Sequence, residues 1–488
     1  MLKVYLKDPD KNYRVIKEFI QDCSIAEPDY DACFKLFHEE RYSPYEDLKQ
    51  MLMFSLIKNS KSELLEKILG KEFTEAITKA FEQVKYSQFP IVDNNNGDIA
   101  RVYIFEGEFE SICFPNTPQF IRESLIKLKK LINKNFFVCF DKIFTGNSFE
   151  LALASCFYVE DIYRNNFIYT GSVDSFGKVN NIDYIKLKKK IALDNKKFLV
   201  SHIDKLEDLS HLNKDVIDLP FIQLFGKSHA ELERNFNYLK DKLEGNILNM
   251  LEIDLDDLSI YRENFIQNNI DEWECLIDEF YYKISKAYNC NLTVRFHFIC
   301  SLSAFAFSMG VIIGAKKQLS IYHFQDGKYF EVINFTETSL RKLKQIKQNF
   351  EYISYGYESS FDSDELMVCI YAASHNPIGD AKKFINETLH CNLLTINIKD
   401  FQGNISIDNS NLWVEITREI YSCINSVNNK QHVSTYHFIF SAPVPLSFAL
   451  GMAIGDYKRL VVYNFDKSDL SYKKVIDSEK VKKFRNFF

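Results

Sequence analysis

The stretch HFIFSAPVPLSFALGMAIG occupies residues 437–455, and HFICSLSAFAFSMGVIIGA, of the same design, occupies 297–315. Both are uncharged and long enough to cross a bilayer. Ser301 and Ser303 in one, and Ser441, Pro443 and Pro445 in the other, interrupt the apolar run where a turn would sit. Each stretch therefore reads as a buried strand, a small-residue loop and a buried helix, not as a membrane span.

The likeness extends on both sides. Trp273 and Trp413, the two tryptophans of the chain, stand 140 residues apart, and that offset also carries His297 onto His437 and Ser301 onto Ser441. After a one-residue insertion, Gly310 pairs with Gly451, Gly314 with Gly455, Tyr322 with Tyr463 and Phe324 with Phe465. So many rare residues in step mark an internal duplication. Each copy reads helix, strand, tight loop, helix, strand, with near-continuous apolar strands that suit a parallel α/β sheet. Each also opens with a further strand and helix: PFIQLF before SHAELERNFNYL, then ILNMLEIDL, and LMVCIY before NPIGDAKKFINETL, then LLTINI.

Ligands of such sheets sit beyond the carboxyl ends of the strands, against helix N-termini. That places candidate ligand-binding residues at Gly226, Lys227 and Ser228, at Ser374, His375 and Asn376, and at Ser301, Ser303, Ser441 and Pro443. Serines at these places also serve as plain helix caps. FGKSH is no phosphate-binding P-loop, because the glycine needed five residues before Gly226 is Phe221.

The chain has 488 residues, too many for one core, so two or three domains are expected. A hydrophobic fraction of 46% with 26% charged residues is that of a globular protein, and a net charge of -7 argues against a general nucleic-acid binder. The 11 cysteines are scattered without a CxxC pair, which favours free thiols in a reducing cytoplasm and gives no metal site. MLKVYLKDPDKNYR lacks the apolar core of a signal peptide.

Two tandem halves, with HFIFSAPVPLSFALGMAIG followed by LVVYNF, resemble the SAVED domain over roughly residues 215–488. The resemblance implies two CARF-like Rossmann units with a cyclic oligonucleotide held between them. Sensors of this kind are fused to effectors, and the preceding segment supplies a candidate. FFVCFDKIFTGNSFELALASCFYVE, then NNFIYTGSVDSFGKVNNIDYIKLKKKIALDNKKFLVSH, resembles the proteolytic domain of Lon peptidases.

That second resemblance assigns Ser148 as nucleophile in a Gly-x-Ser turn with Gly146 and Asn147, and Lys186 as its base. Thr170 would support the lysine amine, and Gly171, Gly177 and Val179 match the pattern between them. Lys188, Lys189 and Lys190 are register alternatives within KLKKK, a run that is also an ordinary solvated helix face. A serine hydroxyl needs a base, and a lysine serves only when neutral, so an apolar shell must push its pKa down from about 10.4. Departures from the family pattern stand at Thr145, Asn147, Phe149, Glu150, Ser172 and Asp183-Tyr184.

The expectation is a multidomain α/β and α+β protein. Residues 1–94 form a helical region ending at the NNNGD run, 95–214 a Lon-like protease domain, and 215–350 and 351–488 the two SAVED halves. A Lon-type domain before a SAVED domain resembles the CRISPR-associated Lon-SAVED proteases. It implies a cytoplasmic endopeptidase without cofactor, switched on by a cyclic oligoadenylate, acting on a protein substrate encoded nearby, with ligand-driven self-assembly. DNA and membrane are not expected partners. The rival readings are an inactive Lon-like scaffold on the same sensor, and a membrane protein anchored by the two apolar stretches.

Overall fold

The computed structural model describes the chain except for residues 22–24, 60, 82, 94–95, 110, 115–116, 180–181, 244, 336–339, 400–404, 456–457 and 482–488. The chain divides into two compact units. One is Met1–Asp215 together with Asn246–Glu252 and Cys290–Leu292, and the other is Val216–Gly245, Ile253–Asn289 and Thr293–Phe488.

The first unit opens with helices α1 (Leu2–Tyr5), α2 (Pro9–Gln21), α3 (Tyr30–His38), α4 (Glu46–Lys58), α5 (Ser62–Leu69) and α6 (Lys71–Phe81). The helical pattern over 62–84 is broken at Gly70, whose φ of 86° ends α5. Strands β1 (Lys85–Asp93) and β2 (Asn96–Glu106) form an antiparallel hairpin, and β3 (Phe136–Phe140) joins the far edge of β2. Helix α7 (Gln119–Ile132) precedes β3. After it come α8 (Phe149–Tyr158), α9 (Asp161–Arg164), β4 (Phe167–Tyr169), α10 (Ile185–Asp194) and β5 (Phe198–Val200), with β4 and β5 parallel.

Two expectations fail here. The boundary at 94/95 falls at the tip of the β1–β2 hairpin, with residues 94–95 of the NNNGD run outside the described residues. The helices before it share one core with the sheet: Leu36, Leu52, Leu56 and Leu64 pack in the same cluster as Phe105 and Phe137. A helical layer that buries its apolar stripe on a sheet belongs to that sheet's domain. ESICF, residues 110–114, reads in sequence as a strand following RVYIFEGEF, and it is reduced to a single bridge between Cys113 and Val138, with residue 110 outside the described residues.

The second unit holds two sheets of one design. In the first, β6 (Val216–Phe225), β7 (Ser259–Arg262), β8 (Thr293–Cys300), β9 (Leu319–Gln325) and β10 (Lys328–Asn334) lie in the order β10-β9-β8-β6-β7. In the second, β11 (Ile353–Glu358), β12 (Glu365–Tyr371), β13 (Asn392–Ile398), β14 (Thr435–Ser441), β15 (Arg459–Asp466) and β16 (Ser471–Asp477) lie in the order β11-β13-β12-β14-β15-β16. Four neighbouring strands are parallel in each, and each closes with an antiparallel hairpin. ILNMLEIDL is not a strand. Gly245–Met250 is a helix, labelled α12 after α11 (His229–Lys242), and the strand at that place in the sheet is β7. A short apolar run does not by itself distinguish helix from strand.

The remaining helices are α13 (Ile270–Tyr288), α14 (Ser303–Ile313), α15 (Ile378–Phe384), α16 (Ser410–Lys430), α17 (Val444–Ile454) and α18 (Ser478–Val481). The two apolar stretches are each a strand and a helix, and no helix among the described residues is long and apolar enough to cross a membrane. They are apolar all round because α14 and α17 pack on each other. A Cβ on Gly310 would lie 2.1 Å from the Phe448 carbonyl oxygen, and one on Gly451 would lie 2.0 Å from that of Phe307. Phe298 packs tilted against Phe448 with ring centroids 4.8 Å apart, and Phe438 against Phe307 at 4.6 Å. Each contact is answered by its duplicate, so the two halves meet about a pseudo-twofold.

Candidate functional site

Ser148 stands at the N-cap of α8, where the chain leaves the buried strand β3. Gly146 takes φ 82° with open space around it, so glycine serves the turn and not packing. Helix α8 is buried from Phe149 through Cys156, which fixes Ser148 on a rigid element. Gly171 donates its N–H to the Ser148 carbonyl at 3.3 Å and accepts from Leu151 N at 3.3 Å, drawing residues 171–172 alongside the helix start. A side chain at 171 would strike Val179 at 2.5 Å, and its φ of 151° also favours glycine.

The amine beside Ser148 belongs to Lys188. Its Nζ donates to Ser148 Oγ at 2.9 Å, and the residue is 6% exposed. Lys186, the expected base, lies on the exposed side of α10. Two residues turn a helix by about 200°, so positions 186 and 188 face opposite ways. Burial pushes the Lys188 amine below its ordinary value, against an opposing pull from Asp183. The apolar shell is an aromatic cluster in which Phe89 meets Phe144 at 4.9 Å and Phe140 meets Phe149 at 5.2 Å.

A cleft of about 390 Å³ opens over the pair. Thr145, Gly146, Asn147 and Ser148 line one side, Gly171 and Ser172 another, and Phe89–Val92 of the edge strand β1 a third. Thr170 does not hold the lysine amine as expected. It is fully buried, its N–H bonds Val200 O at 3.0 Å, and its hydroxyl has no partner among the described residues. Two amides of the first turn of α8 are also committed, Glu150 N to Asn147 O and Leu151 N to Gly171 O.

The second unit carries a cavity of about 700 Å³ at the carboxyl ends of β6 and β8. Lys227, Arg234 and Lys328 bring positive charge, and Tyr238, Tyr322, Phe324 and Tyr329 bring aromatic surface. Val444 and Pro445, at the start of α17, are the second half's contribution. His323 also lines it, and burial holds its pKa below the usual value, so the ring is neutral at pH 7. Cations with aromatic faces are the chemistry that binds phosphates and stacks bases.

Of the expected ligand residues, Lys227 and Ser301 line this cavity. Ser301 Oγ accepts from Phe225 N at 3.2 Å and from Gln223. The others have structural duties. Ser228 caps α11, Ser303 donates to the Ala442 carbonyl at 2.7 Å, Ser441 donates to the His375 carbonyl at 2.5 Å, and Pro443 occupies the N-cap position of α17 without a side-chain cap. Asn376 accepts from Ile378 N at 3.0 Å, and Gly226 lies under the exposed Phe265 ring. Ser374 and His375 stand on the loop after β12, outside the cavity.

Sequence reasoning missed Arg234, Tyr238, His323, Lys328 and Tyr329, which come together only once α11 and the β9–β10 hairpin fold over the sheet. It also missed what the repeated histidines do. His297 is held between Asp218 at 2.8 Å and Tyr322 at 3.3 Å, and His437 between Glu365 at 3.1 Å and Tyr463 at 3.0 Å. The shared spacing of His and Tyr was the available signal. In each half the histidine and tyrosine are buried and the acid is part-exposed, and these pairs account for four of the landmark residues of the duplication.

No curated protein matches this chain. Among solved structures, the Acinetobacter baumannii Cap4 SAVED/CARF-domain containing receptor with the cyclic trinucleotide 3'3'3'-cAAA is similar at 17% identity and a TM-score of 0.38. The match covers 56% of this chain and 53% of that one, so it spans about half the receptor's length. A second structure of the Acinetobacter baumannii receptor matches over 93% of this chain and 86% of its own, at 14% identity and a TM-score of 0.36. The Moraxella osloensis Cap4 receptor matches at 13% identity and 0.33, over 54% of this chain and 50% of its own. Residues 276–477 match the model of the SAVED family, the SMODS-associated and fused to various effectors sensor domain.

Proposed function

We propose that this protein is a serine endopeptidase gated by a cyclic oligonucleotide. Ser148 is the nucleophile and Lys188 the general base. The observation that carries the enzymatic part is the 2.9 Å contact between them under an apolar shell that lowers the amine's pKa. The SAVED match and the basic, aromatic cavity support the gate.

In this reading neutral Lys188 takes the Ser148 proton as Oγ attacks the scissile carbonyl. The ammonium returns the proton to the leaving amine, giving an acyl-enzyme. The same amine then deprotonates a water that hydrolyses the ester. The ligand is proposed to be a cyclic oligoadenylate, with its phosphates at Lys227, Arg234 and Lys328 and its bases on the tyrosines and Phe324. Moving the enzyme from 1% to 99% active needs about 5.5 kcal/mol of differential binding. A partner protein is the proposed substrate, and assembly on ligand binding the proposed coupling.

The test is phosphonylation of Ser148 by a fluorophosphonate, with loss of fluoride, read by intact mass, with and without cyclic tri-, tetra- and hexa-adenylate. Ligand-dependent labelling that disappears in Lys188→Met supports the proposal. No labelling with any ring size leaves an inactive scaffold on a sensor as the better account.

A further inference from the structure

Glu150 stands two residues after Ser148, is fully buried, and does not line the cleft. Its Oε2 accepts from Val173 N at 2.6 Å and from Lys127 Nζ at 2.7 Å. Lys127 also donates to the Val173 carbonyl, so the pair holds both polar groups of one residue. The other oxygen, Oε1, is buried with no partner among the described residues. A buried carboxylate left half-satisfied is a poor device for stability, since an apolar residue of similar size stabilises as much or more.

What the arrangement does fix is geometry. Residues 171–173 are tied to the start of α8 at Ser148 O, at Leu151 N and, through Glu150 and Lys127, at Val173. Ser172 lies between these ties and faces the cleft with Gly171. The cleft wall beside the nucleophile is thereby set by a side chain on the nucleophile's own helix.

From this we infer that Glu150, with Lys127, is a positioning residue for the peptidase site: it holds the 171–173 wall at a fixed distance from Ser148. The inference rests on the peptidase reading. Glu150 touches neither the reacting atoms nor the cleft, so it acts through the wall. Loss of the tie affects the reaction step more than binding.

The experiment is fluorophosphonate labelling of the full chain with the activating cyclic oligoadenylate, resolving the maximal labelling rate from the half-saturating probe concentration. Glu150→Ala is expected to lower the maximal rate about 10-fold or more, with the half-saturating concentration unchanged. Glu150→Gln, which keeps an acceptor for Val173 N, recovers most of the loss. Lys127→Met shifts the rate in the same direction and carries the test if Glu150→Ala does not fold, because Lys127 reaches the surface. Wild-type rates in both Glu150→Ala and Lys127→Met overturn the inference and leave the peptidase reading standing. An unlabelled Ser148 in the wild-type chain removes the peptidase reading itself, and this inference with it.

Discussion

Lys188 Nζ sits 2.9 Å from Ser148 Oγ, forty residues away in sequence, while Lys186 on the same helix points outward. If the pair is catalytic, Lys188→Met and Ser148→Ala each lower the labelling or cleavage rate by about 10³-fold or more. Lys186→Met leaves the rate within about twofold, as expected of an exposed charge without a role in the transition state. Equal losses in Lys186→Met and Lys188→Met contradict the register seen here.

The depressed Lys188 pKa fixes the sign of two pH dependences. If the pair is catalytic, only the neutral amine accepts the serine proton, so the rate is expected to rise with pH through that pKa and then level off, earlier than an exposed lysine would allow. For stability, the unfolded chain binds the proton more tightly than the folded one. Burial of this lysine therefore costs stability below the folded-state pKa, and the cost shrinks as pH rises toward the unfolded value of about 10.4. Lys188→Met is expected to be more stable than wild type by about 1 kcal/mol at pH 7. Denaturant melts of both proteins across pH 7–10 should show that gap narrowing.

If the cavity of the second unit holds a cyclic oligoadenylate, Arg234→Ala is expected to weaken its binding about 10-fold or more, because it removes a cation from the cavity wall. Ser374→Ala and Asn376→Ala, on the loop after β12, should leave affinity unchanged within about twofold. Titration calorimetry reads both. Dependence on Ser374 and Asn376 but not on Arg234 would move the ligand to the other half.

Gly310→Ala and Gly451→Ala test the crossing of α14 and α17. A helix-interior Gly→Ala ordinarily stabilises by about 0.5–1 kcal/mol. Here the added methyl would sit about 2 Å from a carbonyl oxygen, and we expect destabilisation of about 1–3 kcal/mol by each change. Urea unfolding of the full chain measures it, and a gain in stability would mean that the helices are not so close in solution.

The duplication was legible because it is written in residues that rarely recur by chance. Trp and His at one offset, and Gly one residue further on, correspond to Trp273 and Trp413 in the core, the two His–Tyr–acid triads and the two helix-crossing glycines. The Ser148 turn was legible because Gly146 and the apolar run after Ser148 are local signals, and the resemblance to a Gly-x-Ser turn with a later Thr-Gly pair added Gly171. The lysine register was not. Four of five residues in KLKKK are alike, and the helix phase is set by Tyr184, which enters α10 in the left-handed conformation with φ 57°. The cavity residues were illegible for another reason: Arg234, His323 and Lys328 share no spacing that a linear reading can register.

After Asp215 the backbone does not leave the first unit for good. It returns for Asn246–Glu252 and again for Cys290–Leu292, crossing between the two units five times in all. On those visits Leu251 bridges Val200, Glu252 N bonds Leu199 O at 2.9 Å, and Asn291 N bonds Lys196 O at 2.9 Å. A single recombination point between the two units would strip Leu251 and Glu252 from β5 and bare its edge. A foreign unit spliced on at residue 216 would therefore have to bring its own replacement for the missing ladder.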